Sequence, residues 1–91
     1  MSILRSKTTA KFRQLLADAL PDVKVKVRAV YRLWAENPSH PSLRFKKVHN
    51  QLPIYSVRID LNWRAVGTLR DETVVWFWVG PHSEYEKLLR H

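Results

Sequence analysis

Cysteine is absent from these 91 residues, and glycine occurs only twice. The first absence excludes a disulfide framework and thiolate metal sites. The second leaves no room for a phosphate-cradling glycine loop or a flexible Gly/Ser linker, and no Ser nucleophile elbow is present either. No apolar run approaches the roughly 20 residues that span a bilayer, and the N-terminus lacks the apolar segment and cleavage site of a signal peptide. A cytoplasmic protein with no membrane partner is therefore expected. Acidic side chains are scarce as well: eight Asp and Glu stand against sixteen Lys and Arg, a net charge of +8. That excess favours a polyanionic partner, although charge alone does not choose among DNA, RNA, a ribosome, a membrane surface or an acidic protein.

What is present is enough apolar material for one core. The chain is 45% hydrophobic, with four Trp, three Tyr and three Phe, and a domain of this size buries about 60% of its unfolded surface. No repeat or low-complexity tract interrupts it, so residues 1–91 read as one domain. Met1 to Lys7 read either as a short edge strand or as a loose end. Thr8 or Thr9 is a suitable N-cap for a helix whose face is Phe12, Leu15, Leu16, Ala19 and Leu20, running to about Leu20. Pro21 suits the first turn of a second helix, and Asp22 complements its dipole. Val23, Val27, Val30, Tyr31 and Trp34 form the apolar face of that helix, Lys24, Arg28 and Arg32 a separate solvated stripe, and Asn37-Pro38 its end.

From Leu43 the period becomes alternating. Strands are expected at Leu43 to Val48, Tyr55 to Leu61, Trp63 to Leu69 and Thr73 to Val79, with turns at Asp60-Leu61-Asn62 and Asp71-Glu72. The last strand is apolar on both faces, and Pro81 stops it. Tyr85, Leu88 and Leu89 suggest a short terminal helix. The expected architecture is α+β, with two N-terminal helices on one face of a three- to four-stranded antiparallel sheet. Tyr55, Val57 and Ile59 should meet the helices, while Ser56, Arg58 and Asp60 leave an uncovered, polar and basic face.

Three segments in order, YRLWAENPSHPSLRFKKV, YSVRIDLNWRAVG and VVWFWVGPHSEYEKLL, resemble the RelE/ParE toxin superfamily, RelE-, HigB- and YafQ-like toxins of type II toxin–antitoxin systems among them. The resemblance runs from about Thr8 to Leu89. It implies the α+β fold just described, a cognate antitoxin as protein partner, and one of two activities on a shared scaffold. RelE-type members cleave mRNA on the ribosome, and ParE-type members inhibit DNA gyrase.

Cleavage of RNA through its own 2′-hydroxyl needs a group to take the 2′ proton, positive charge on the phosphorane-like transition state and an acid for the leaving 5′ oxygen, and it needs no metal or small-molecule cofactor. By position in the family pattern, the resemblance assigns catalysis to Arg58, Arg64, His82 and Tyr85. The arginines would stabilise the phosphate, His82 would serve as general acid or base, and Tyr85 would orient the site or stack on a base. Arg44, Lys46, Lys47 and Trp63 would hold RNA or ribosome. Of the remaining histidines, His40 reads as structural and His49 as a minor candidate, while Trp34, Trp76 and Trp78 read as core, the last two on one face of their strand. Two departures from the pattern stand out: Ser56 occupies a position where a second basic residue is common, and the usual first strand is shortened or missing before Thr8. A gyrase inhibitor of the ParE kind and a non-catalytic module that binds RNA or an antitoxin are the alternative readings.

Overall fold

The computed structural model describes residues 4–90; Met1–Ile3 and His91 lie outside them. The elements in chain order are β1 (Arg5–Thr8), α1 (Ala10–Ala17), α2 (Pro21–Glu36), a single 3-10 turn at Pro41–Leu43, β2 (Lys46–Lys47), β3 (Ile54–Arg58), β4 (Trp63–Arg70), β5 (Thr73–Pro81) and α3 (His82–Leu89). The α+β arrangement with two N-terminal helices on the sheet is as expected. The sheet, however, has five strands in the order β1-β5-β4-β3-β2, and it is mixed, because β1 runs parallel to β5. The first strand is thus present. Arg5–Thr8 carries no apolar alternation that would announce it, and backbone pairing of Arg5 to Thr8 with Thr73 to Trp76 holds it at the edge. Among the described residues no helix is long and apolar enough to cross a membrane.

Local chemistry sets most boundaries. Thr9 caps α1, its Oγ1 accepting the Phe12 N–H at 3.1 Å. The helix stops at Ala17, three residues before the expected end, because Leu20 must be extended (φ −63°, ψ 150°) to precede Pro21. Pro21 then opens α2, and Glu36 ends it one residue before Asn37-Pro38. The segment expected as a strand from Leu43 to Val48 shrinks to Lys46–Lys47. His40 Nδ1 accepts the Ser42 N–H at 3.2 Å and Arg44 takes a left-handed conformation with φ 47°, so the chain is still turning where pairing was expected to begin. Asp71 and Glu72, with φ 50° and 65°, form the two-residue turn between β4 and β5, whose backbone twist matches that of a hairpin.

The core lies between the helices and one face of the sheet. Val57, Ala65 and Val79 stand side by side across β3, β4 and β5 and are buried with Phe12, Val23, Val27, Trp34, Leu43 and Trp76. Trp34 sits at the centre, edge-on to Phe45 at 5.7 Å and to Trp76 at 5.4 Å between ring centroids. Tyr31, placed by its spacing on the same helical face, is instead half exposed and shares a hydrogen bond with Ser6 at 2.7 Å.

An irregularity in register between Val66 and Gly67 decides which tryptophan faces where: Val66 pairs with Trp78 but Gly67 pairs with Trp76, leaving Phe77 as the extra residue of a bulge. Trp76 and Trp78 therefore lie on opposite faces rather than together, with only Trp76 in the core. Gly67 belongs to this bulge by necessity. A Cβ there would approach Val74 Cγ1 to 2.7 Å, Trp76 Cε3 to 2.9 Å and the Val75 carbonyl oxygen to 3.0 Å. Gly67→Ala is expected to destabilise the fold by about 1–3 kcal/mol through overpacking, read as a lower urea midpoint at an unchanged m-value.

Candidate functional site

The face of the sheet turned away from α1 and α2 carries the polar residues. Paired residues on neighbouring strands share a face, so Arg58 on β3, Arg64 on β4 and Gly80 on β5 form one row, and Lys46, Ser56, Val66 and Trp78 form the next. α3 lies over this second row. Tyr85 is buried and its hydroxyl donates to Ser56 Oγ at 3.2 Å, which is why Ser56 is only 2% exposed. The face expected to be open is thus partly roofed, and the serine that departs from the family pattern is the anchor for Tyr85.

Arg58 and Arg64 are direct cross-strand neighbours. Like charges in that relation repel, and among the described residues neither forms an ion pair with a carboxylate. Arg64 is held from behind. Its Nη1 donates to the carbonyl oxygens of Asp60 at 2.5 Å and Trp63 at 2.9 Å. Partial burial, and then the charge of Arg58 beside it, pushes the Arg64 guanidinium below its ordinary pKa, with Tyr85 acting in the opposite sense and Arg44 adding to the depression. A guanidinium remains cationic under such pressure, so the row holds two adjacent positive charges, that of Arg64 partly desolvated, with no carboxylate paired to either among the described residues. A phosphate would relieve both.

His82 opens α3, its backbone N–H bonded to the Asn62 carbonyl at 2.6 Å. Its Nδ1 lies 3.3 Å from Glu86 Oε1 one helical turn on, which leaves Nε2 for a substrate. The ring is 5.6 Å from that of Tyr85, between centroids. Tyr85 itself is 8% exposed, so of its two expected roles, orienting the site and stacking on a base, the geometry permits the first.

The residues expected to hold RNA or ribosome divide between the two faces. Lys46 lies opposite Ser56 on the site's face, and Arg44 is close enough for its charge to be felt at Arg64. Lys47 pairs with Tyr55 on the other face. Trp63 also turns away, packing partly buried against the core, because a residue adjacent to Arg64 in a strand must point to the opposite side. The aromatic on the site's face is Trp78, whose half-buried indole lies over Gly80, the residue opposite Arg64. No sequence signal marks it, since the bulge that turns it has no motif. His49 caps a turn, its Nδ1 accepting from Gln51 and Leu52 N–H groups at 3.1 and 2.9 Å. Asp60, expected on the basic face, instead reaches Lys26 of α2 at 3.0 Å, for β3 ends at Arg58 and alternation lapses beyond it.

A cavity of about 360 Å³ lies elsewhere, between the helices and the core face of the sheet, lined by Phe12, Val27, Trp34, Val57 and Trp76 with Arg28 and Arg32 among its walls. The Trp34 and Trp76 indole N–H groups, both buried, find no acceptor among the described residues.

This combination of fold and basic row can be set beside known proteins. Residues 21–87 match the ParE-like toxin domain family. The chain belongs to that family. No curated protein sequence matches this ParE-like domain, but solved structures do. A chain of the RelB–RelE antitoxin–toxin complex from Methanococcus jannaschii is 13% identical, with a TM-score of 0.72 over 90% of this chain and 96% of that one. YafQ from Escherichia coli is 11% identical, with a TM-score of 0.72 over 90% and 97%. The RelBE2 toxin–antitoxin complex from Mycobacterium tuberculosis contains a chain that is 19% identical, with a TM-score of 0.69 over 88% and 99%. At such identities the likeness is one of fold. It matches the RelE/ParE resemblance seen in the sequence.

Proposed function

We propose that the protein is a single-domain toxin of a type II toxin–antitoxin system that cleaves mRNA on the ribosome without a metal. The observation that carries this reading is the facing pair Arg58 and Arg64, unneutralised by any described carboxylate, on the side of the sheet opposite the core, with Tyr85 felt at Arg64 and the His82 ring beside that of Tyr85. The arginines bind the scissile phosphate and stabilise the charge that builds on it as the 2′-oxygen attacks phosphorus and the 5′-oxygen leaves. His82, steered by Glu86, moves a proton at Nε2 between the site and those oxygens, and Tyr85, fixed by Ser56, holds the His82 ring from the other side. The products are a 2′,3′-cyclic phosphate and a free 5′-hydroxyl. Lys46 and Arg44 hold the flanking backbone by charge.

A cognate antitoxin is the protein partner in this reading. Support comes from the apolar cavity with Arg28 and Arg32 in its walls, a surface suited to an acidic amphipathic segment. Gyrase inhibition is the second reading, favoured by the ParE-like description of the matched family.

A short pulse of expression in a bacterial host, followed by mapping of mRNA 5′ ends, separates the two. New ends in phase with codons, lost in His82→Ala by a factor of about 10²–10⁴ as expected for a proton-transfer group, support the nuclease. Intact messages with DNA damage that His82→Ala leaves unchanged overturn it in favour of gyrase.

A further inference from the structure

The turn between β3 and β4 does more than connect them. The carbonyls of Asp60 and Trp63 take both described hydrogen bonds of the Arg64 guanidinium, and that of Asn62 takes the one from the His82 backbone N–H. The turn's own shape depends on one side chain. Asp60 Oδ1 accepts the Asn62 N–H at 2.7 Å, while Ile59 and Asp60 N–H groups converge on the Trp63 carbonyl at 3.0 and 3.3 Å. The other oxygen, Oδ2, is 3.0 Å from Lys26 Nζ on α2, thirty-four residues away in sequence. Here a single carboxylate ties a helix on the core side of the sheet to a turn that grips two groups on the far side.

We propose that Asp60 and Lys26 are positioning residues for Arg64 and His82. The inference rests on the cleavage reading for its chemistry, but its structural half does not. Removing the carboxylate frees the Asn62 N–H and the Lys26 ammonium together, so the turn loses its internal hydrogen bond and its tether to α2. The Asn62 carbonyl then no longer fixes the start of α3, and the Asp60 carbonyl no longer fixes Arg64. The ionisation state agrees with this duty. Burial pushes the Asp60 carboxyl up, but the hydrogen bond from Lys26 and that from Asn62 outweigh it and leave the group below its ordinary range. The carboxylate is therefore charged and able to accept both bonds at neutral pH.

Misplacement of catalytic groups lowers the rate of a bound complex rather than its affinity. Asp60→Ala should therefore reduce kcat on ribosome-bound RNA about 10- to 100-fold with KM changed less than about 3-fold. Asp60→Asn, which keeps the acceptor for Asn62, should retain most of the rate. Lys26→Ala should cost about 3-fold, and adding it to Asp60→Ala should cost almost nothing more, because the two act as one unit. A second readout needs no RNA. The Arg64 side-chain N–H signals in ¹⁵N NMR should be sharp and slowly exchanging in the wild type and in Lys26→Arg, weakened in Lys26→Ala and lost in Asp60→Ala. Unchanged Arg64 signals in Asp60→Ala, or multiplicative rate losses for the two variants, overturn the positioning role. Should wild-type protein cleave no RNA, the cleavage reading falls and the Arg64 signals still decide whether Asp60 holds that side chain. Asp60→Asn and Lys26→Ala keep the test valid if Asp60→Ala does not fold.

Discussion

On the proposed cleavage reading, Arg64→Ala is expected to slow cleavage of ribosome-bound mRNA by about 100- to 1,000-fold, the usual consequence of removing one preorganised donor from a developing oxyanion. Arg64 outranks Arg58 because of how it is held. With Nη1 committed to the Asp60 and Trp63 carbonyls, the guanidinium is restrained, and Nη2 and Nε, which share its other edge, carry no hydrogen bond among the described residues and can offer a phosphate a paired fork. Partial burial has already stripped some of its water, so charge is felt more strongly there than on an exposed strand. Arg64→Lys should recover little of the loss, since an ammonium on a flexible stem offers neither the fork nor the paired anchorage. Single-turnover cleavage on programmed ribosomes measures the effect. A loss under 10-fold would remove Arg64 from the chemistry. Binding of the antitoxin proposed for the cavity between the helices and the sheet should be unchanged in the same variant.

The largest expected loss of stability is at Trp34. It is 1% exposed and touches Phe45 and Trp76 edge-on and Tyr31 in a stacked pair at 6.3 Å. Trp34→Ala should cost about 3–5 kcal/mol, a large share of the roughly 5–15 kcal/mol that holds a domain together. Trp34→Phe should cost far less, about 1 kcal/mol, because the indole N–H it deletes is buried with no acceptor among the described residues and contributes only its desolvation penalty. Urea denaturation of the two variants tests both statements. Equal losses would overturn the second.

These expectations draw unequally on the sequence. Local signals read well: Thr9, Pro21 and Asn37 punctuate the helices through chemistry that lies within a few residues, and the turn at Asp71-Glu72 falls where alternation breaks. Arg58, Arg64, His82 and Tyr85 follow from the family pattern; the strand register brings the two arginines together, and Tyr85 is felt at Arg64. What escaped depends on tertiary pairing. β1 has a polar sequence and exists because β5 offers it a partner. One inserted residue at the bulge sends Trp78 to the far face, though Trp76 and Trp78 look equivalent in the sequence. Trp63 was assigned to the site by proximity to Arg64 in the chain, where proximity by one residue guarantees the opposite face. Lys26 and Asp60 are two ordinary charges until the fold sets them 3.0 Å apart.

The two outermost strands are both short, and both are cationic: Arg5 and Lys7 are exposed on one, Lys46 and Lys47 on the other. An unpaired strand is an invitation to stack with another copy. Here a second molecule arriving edge-on would have to align like charges along only a few hydrogen bonds, and it gains too little to stay. The same lysine that faces the site at β2 thus also keeps free molecules from adding to one another's sheets, and a change of charge there would be felt first as fibrous aggregation during expression.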